Sequence, residues 1–220
     1  MLKTEFAPAA EENSRRLLVA LHGLGDSTAG YRWLPSILQF PWLNYLLVNA
    51  PDPYYSGFAW YDFSGDADTG VRRSRALLFE LLDRQRANGF PTGQTVMFGF
   101  SQGCLMMWEC GLRYPHRFAG LIGISGYTHE PEKAIQELSP VAQQQRFLIT
   151  HGTEDSLIPF ADVREQINIL KAAGLNVAWH PLVKAHTIAG DEELDVIRKF
   201  ISGCFSGGSQ RASPDERVAR

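Results

Sequence analysis

Gly99-Phe100-Ser101-Gln102-Gly103 stands where the apolar run Val96-Met97-Phe98 stops and the helical run Cys104 to Leu112 begins. A strand that turns directly into a helix forces the central residue into strained backbone geometry, and glycines on either side let the neighbouring chain come close. The same succession recurs along the chain. Strand-like runs fall near Leu17 to His22, Tyr45 to Ala50, Thr95 to Phe100, Ala119 to Ser125, Arg146 to His151 and Val177 to Leu182. Between them Val71, Leu77, Leu78, Leu81 and Leu82 share one helical face, as do Val163, Ile167 and Leu170, and then Leu194, Ile197 and Ile201. Alternation of this kind predicts an α/β fold, a mostly parallel central sheet with helices on both faces. Leu46-Leu47-Val48 and Phe147-Leu148-Ile149 are apolar without a break, as strands buried on both faces require.

The 220 residues are 45% hydrophobic and 20% charged, enough to build a sizeable core without disulfides or structural metals. One domain over 1–205 is expected, with a flexible tail over 206–220, where Gly207-Gly208-Ser209 and the following polar residues offer nothing to bury. Twenty-one Lys and Arg against 24 Asp and Glu leave a net charge of -3, which argues against nucleic acid or an anionic membrane as partner. The longest apolar run, Leu17 to Leu21, is far short of the roughly 20 residues that span a bilayer. Charges at Lys3, Glu5, Glu11, Glu12, Arg15 and Arg16 do not suit a secretory signal, so cytoplasmic residence is expected. Cys104, Cys110 and Cys204 show neither CxxC nor zinc spacing and read as reduced, mostly buried side chains.

Chemistry enters through Ser101. The turn projects its Oγ from the top of the sheet and aims the Gln102 N–H at the point where an oxyanion forms. A serine alcohol needs a base to take its proton, and the elbow calls for an acid and then a histidine further along the chain. Asp155 follows the strand ending at Thr150-His151, with Glu154 beside it as the alternative acid, and His186 follows the last strand. All three positions lie at the carboxyl ends of strands, where open parallel sheets gather their functional groups. Of the other histidines, His22 and His151 end strands and read as structural, His116 and His129 read as surface loop residues, and His180 lies within a strand. The first strand-to-helix turn, Leu21-His22-Gly23-Leu24-Gly25-Asp26-Ser27, lacks the third glycine of a dinucleotide fingerprint and carries an acid where a pyrophosphate would sit. It suits an oxyanion loop better, with the Leu24 N–H complementing that of Gln102. Asp62 to Gly70 is acid-rich but lacks the regular spacing and closing Glu of a calcium loop, and reads as a solvated turn.

Taken together, Leu21 to Ser27, Ala50-Pro51, Trp60-Tyr61-Asp62, Gly99 to Cys104, His151 to Asp155 with Ile158-Pro159, and His186 resemble the phospholipase/carboxylesterase family of α/β hydrolases, which includes carboxylesterases and acyl-protein thioesterases. The resemblance covers about residues 17 to 204. It implies the α/β-hydrolase fold, a Ser101, Asp155 and His186 triad, Leu24 and Gln102 as oxyanion donors, and Trp60 near the acyl site. Lys184-Ala185 stand before His186 where family members often carry glycine. The expected activity is cleavage of carboxylic esters or thioesters through an acyl-serine intermediate, with no metal and no organic cofactor. Trp60, Leu24 and Ile158 are expected to form an open, shallow acyl wall for short to medium chains. The rivals are a non-catalytic binding protein that keeps this fold and a peptidase of the same fold. A small ester or thioester and an acylated protein both stand as substrates, and the sequence leaves monomer and homodimer open.

Overall fold

Period two in the strands sorts side chains between two cores, one on each face of a single sheet. The computed structural model describes residues 1–206, and the tail expected over 206–220 lies outside them except for Ser206. The sheet has seven strands in the order β1 (Thr4–Ala7), β3 (Leu43–Val48), β2 (Arg16–Leu21), β6 (Thr95–Phe100), β7 (Gly120–Ile124), β8 (Arg146–Gly152) and β9 (Asn176–Leu182). β1 runs antiparallel to β3, and every other neighbouring pair is parallel. Leu17, Val19, Leu21 and Met97 enter one core. There they meet α2 (Ala67–Ala87), α3 (Gln102–Arg113) and α5 (Phe160–Ala172) through Leu78, Leu105 and Ile167. Leu18, Ala20, Val96 and Phe98 enter the other core, against Leu34 of α1 (Leu34–Leu38) and Ile197 of α6 (Asp191–Phe205). No described helix is long and apolar enough to cross a membrane.

Five elements escape the expected pattern, and each is too short to show a period. β1 has four residues with alternating exposure at the sheet edge. β4 (Asp52–Tyr54) and β5 (Gly57–Ala59) form a separate antiparallel hairpin whose first strand contains Pro53. α1 has five residues, and α4 (Pro131–Gln136) has six. The solvated turn expected over Asp62 to Gly70 is exposed but ends at Asp66, which caps α2 by accepting the Thr69 N–H at 3.1 Å; Ala67 to Gly70 form the first turn of that helix instead. Cys104 and Cys110 are buried, Cys204 is half-buried, and all three are free thiols.

Sheet order decides where a site can form. From β2 the chain moves to β3 on one side and later to β6 on the other, so the loops after β2 and β6 diverge over the boundary between them. Crevices outside the carboxyl ends of parallel strands open at such a switch point.

Candidate active site

Ser101 leaves β6 with φ 54° and ψ -118°, a conformation non-glycine residues rarely adopt. Main-chain packing holds it there. Its N–H donates to the Ile124 carbonyl at 3.0 Å, and its own carbonyl accepts from Cys104 and Leu105. A Cβ on Gly99 would run into the Gly103 carbonyl, and one on Gly103 would run into the Leu21 carbonyl. Neither glycine is replaceable without moving backbone, so α3 can rest directly on β2 only with this composition at the elbow.

His186 and Asp155 arrive from the ends of the two neighbouring outer strands. The His186 Nδ1–H donates to Asp155 Oδ2 at 2.8 Å, and Nε2 faces Ser101 Oγ at 3.0 Å. Asp155 Oδ1 accepts the N–H groups of Leu157 at 3.0 Å and Ile158 at 2.9 Å. Burial pushes the Asp155 carboxyl upward, but the Ile158 N–H and His186 outweigh it and hold the group below the usual carboxylate value. An ionised Asp155 fixes the proton on Nδ1 and leaves Nε2 as an acceptor for the Ser101 hydroxyl. The structure thus brings together the three residues expected from the sequence, with Asp155 rather than Glu154 on the histidine.

The other strand-end histidines face inward. His22 Nδ1–H donates to the Gly23 carbonyl at 2.6 Å, while Nε2 accepts the Ala50 N–H at 3.0 Å. Burial lowers its pKa, so the ring stays neutral as a brace between two strand ends. Burial likewise lowers the pKa of His151, whose Nε2–H donates to the Ile158 carbonyl at 3.0 Å. That bond stiffens the loop that carries Asp155.

Leu24 and Gln102 line the cleft together with Ser101. Gly25 and Asp26 use their N–H groups within the loop and the hairpin, donating to Phe58 at 2.9 Å and Gly23 at 3.3 Å. Among the described residues, the Leu24 N–H finds no acceptor. Gln102 begins α3, so its N–H has no partner within the helix and carries the positive end of the helix dipole. Two backbone donors are thereby left free on residues that line the cleft with Ser101. The Gln102 side chain is buried and spans the opposite loop, accepting the Trp60 N–H at 3.0 Å and donating to the Tyr61 carbonyl at 3.1 Å.

Trp60 corrects an expectation. Its side chain is fully buried and lies outside the cleft. The indole N–H reaches inward to the His22 carbonyl at 2.9 Å, and the Trp60 carbonyl accepts from Ser74. A buried indole must place its N–H on an acceptor, and the acceptor here lies beneath the loop. The cleft beside Ser101 measures about 530 Å³, and Leu24 and Ile158 line it as expected. Tyr61, Phe63, Tyr127 and Leu157 complete its wall, and none of the four had been expected from the sequence. Tyr127 follows β7 and Leu157 follows β8, so position at a strand's carboxyl end was the signal available for both. Tyr61 and Tyr127 join their hydroxyls at 2.8 Å, closing one end of the wall. Phe63 and Leu157 remain 59% and 72% exposed, so the rim is apolar and open.

Asp68, His129 and Glu130 bring their ligand-type atoms within 4.8 Å of one another, and none of the three lines the cleft. Lys133 already answers their charge, with its ammonium 2.7 Å from Glu130 and 3.8 Å from Asp68.

Comparison with known proteins agrees with this fold and with a hydrolase. The chain is similar to acyl-protein thioesterase 1 of Schizosaccharomyces pombe, 36% identical over 155 residues that make up 64% of this chain and 69% of the relative. It is also similar to acyl-protein thioesterase 1 of Yarrowia lipolytica, 26% identical over 84% of this chain and 89% of the relative. The crystal structure of esterase PE8 superposes with a TM-score of 0.80 at 27% identity, covering 92% of this chain and 99% of that one. Residues 3–205 match the phospholipase/carboxylesterase family, and the chain belongs to it.

Proposed function

We propose that this serine hydrolase of esters or thioesters works through an acyl group carried on Ser101, and that short to medium acyl chains fill its cleft. The observation that carries the reading is the hydrogen-bonded line from Asp155 through His186 to a strained Ser101 at the edge of an apolar cleft.

As Ser101 Oγ attacks the carbonyl carbon, its proton passes to His186 Nε2. Asp155 stays ionised and offsets the imidazolium charge. The carbonyl oxygen, now negative, meets the N–H groups of Leu24 and Gln102, which need no rearrangement to receive it. Collapse of the tetrahedral centre breaks the bond to the alcohol or thiol, which leaves with the proton from Nε2. Water then attacks the acyl-serine, gives its proton to Nε2, and the second collapse returns the proton to Ser101 Oγ and frees the acid. His186 transfers one proton in each direction per half-reaction, and Asp155 transfers none.

Thiol esters of proteins fall within this substrate class, since the relatives named above are acyl-protein thioesterases. The open rim at Phe63 and Leu157 leaves room for a bulky leaving group. Fluorophosphonate labelling tests the reading. Stoichiometric modification of Ser101, together with turnover of p-nitrophenyl butyrate and of an S-acyl cysteine peptide, is expected. A chain that neither labels nor turns over either ester is a binding protein with a hydrolase fold.

A further inference from the structure

The loop that presents His186 runs from the end of β9 to the start of α6 and has no regular structure of its own. One buried ion pair reaches several of its groups. Lys184 Nζ donates to Glu193 Oε1 at 2.6 Å, with the two side chains only 2% and 0% exposed. The same ammonium donates to the Thr187 carbonyl at 2.8 Å, and Glu193 Oε2 accepts the Ala189 N–H at 2.5 Å. Through its main chain Lys184 also accepts the Glu154 N–H at 3.1 Å, one residue before Asp155. A Cβ on Gly152 would collide with the Lys184 carbonyl, so the acid's loop and the base's loop meet here without a side chain between them. Lys184 therefore ties together the Asp155 loop, both flanks of His186 and the first turn of α6.

Charge on the buried lysine faces groups from three more directions. Burial lowers the Lys184 pKa, while Glu193 raises it and Asp155 and Cys104 act in the same sense as Glu193. His151 lies within reach of its field. A pair this deep is a weak source of stability, because desolvation of two ions offsets most of their attraction and a well-packed apolar pair serves as well. What an apolar pair lacks is hydrogen bonds of fixed direction to Thr187 and Ala189.

We propose that Lys184 and Glu193 are positioning residues for His186, a side-chain clamp that holds the imidazole between Asp155 and Ser101. The proposal rests on the acyl-serine reading above. Neither residue touches the reacting atoms, and the clamp acts through the loop alone. Misplacing a catalytic group by about 1 Å lowers turnover by up to roughly 100-fold.

Three variants separate positioning from stability: Lys184→Met, Glu193→Gln, and the double variant Lys184→Met with Glu193→Leu. Each single variant strands a buried charge, so both kcat and melting temperature are expected to fall. The double variant removes both charges, and its melting temperature is expected to recover toward that of the parent. Its kcat for p-nitrophenyl butyrate is expected to stay at least about tenfold low with KM little changed, because the directed bonds from Lys184 to Thr187 and from Ala189 to Glu193 are gone. Proton NMR supplies a second reading that needs no turnover. The His186 Nδ1–H held by Asp155 is expected as a protected downfield resonance in the parent and as a lost or exchange-broadened one in the double variant. Recovery of kcat together with melting temperature would reduce the pair to a structural filler and overturn the proposal. So would a downfield resonance unchanged by the double substitution, or absent from the parent. A parent that does not label with fluorophosphonate defeats the acyl-serine reading instead, and the resonance then decides the clamp alone.

Discussion

The two halves of the site are held in different ways. On the Ser101 side, position is a matter of backbone against backbone: Gly103 over the Leu21 carbonyl, the Ser101 N–H on Ile124, and the helix start behind Gln102. On the His186 side, the backbone contact of Gly152 and Glu154 with Lys184 is joined by directed side chains: Asp155 on the imidazole, and Lys184 with Glu193 on the loop. A nucleophile that must hold an unfavourable φ needs the rigidity of packed main chain. A base that passes a proton back and forth needs correct orientation, and directed hydrogen bonds suffice for that. Substitutions on the first side should break either chemistry or fold, whereas those on the second should change rates in a fold that survives.

Removing the nucleophile should give the largest effect. Ser101→Ala deletes one oxygen at a cleft edge and should leave the melting curve nearly unchanged. Losses on the order of 10⁶ in kcat follow such changes in serine hydrolases. Residual p-nitrophenyl butyrate hydrolysis near the parent rate would show that another group attacks.

Asp155→Asn should come next, with a loss of about 10⁴ in kcat, since an amide no longer favours the Nδ1–H tautomer. The same substitution bears on acid stability. Asp155 is held below the ordinary carboxylate value in the folded chain, so it contributes stability that is complete above about pH 4 and is lost as the pH falls through its lower folded value. Thermal melts from pH 7 down to pH 2 should therefore slope less steeply at the acid end in Asp155→Asn than in the parent. Parallel slopes would mean that the carboxyl is not held down by its neighbours.

Gly103→Ala puts the contrast to its sharpest structural use. A methyl group there must displace the Leu21 carbonyl, and overpacking of this kind costs about 3 kcal/mol. Ala185→Gly, on the exposed His186 loop, should cost less than about 1 kcal/mol. Urea unfolding of the two variants compares the halves directly, and equal losses would remove the distinction.

That contrast also explains what could be read from the sequence. The elbow was legible because its constraint is steric and local: Gly99, Ser101 and Gly103 sit within five residues, between an apolar run and a helical one. Five strands were legible because burial keeps each apolar along its length, whereas β9, mostly half-buried or exposed, was named from its β-like run alone. Asp155 and His186 could be named by order and by their place after β8 and β9. β1, with four residues at an edge, and the hairpin carrying Pro53 left no period to find. The Lys184 and Glu193 pair was invisible for another reason. An ion pair nine residues apart is a tertiary fact, and in the sequence each residue looks like an ordinary surface charge. Trp60 misled in the opposite direction, since an aromatic in a loop over the site reads as a pocket wall. Only the buried acceptor at His22 turns it inward.

The smallest expected effect settles which aromatic forms the acyl wall. Phe63 is exposed at the rim and lines the cleft, while Trp60 lies beneath it, bonded to His22 and Gln102. Each acyl methylene that packs against the rim contributes roughly 0.8 kcal/mol. Phe63→Ala and Leu157→Ala should therefore lower kcat/KM for p-nitrophenyl octanoate about three- to tenfold while leaving the acetate ester unaffected, because acetate does not reach the rim. Trp60→Phe shrinks a fully buried ring and strips the donor from the His22 carbonyl. It should cost about 2–4 kcal/mol of stability and leave the octanoate-to-acetate ratio where it was. The ratio is the informative quantity, since a general loss of fold or of triad geometry lowers both esters together. A ratio that collapses in Trp60→Phe and holds in Phe63→Ala would return the wall to Trp60 and require the loop from Tyr61 to Gly65 to swing aside when substrate binds.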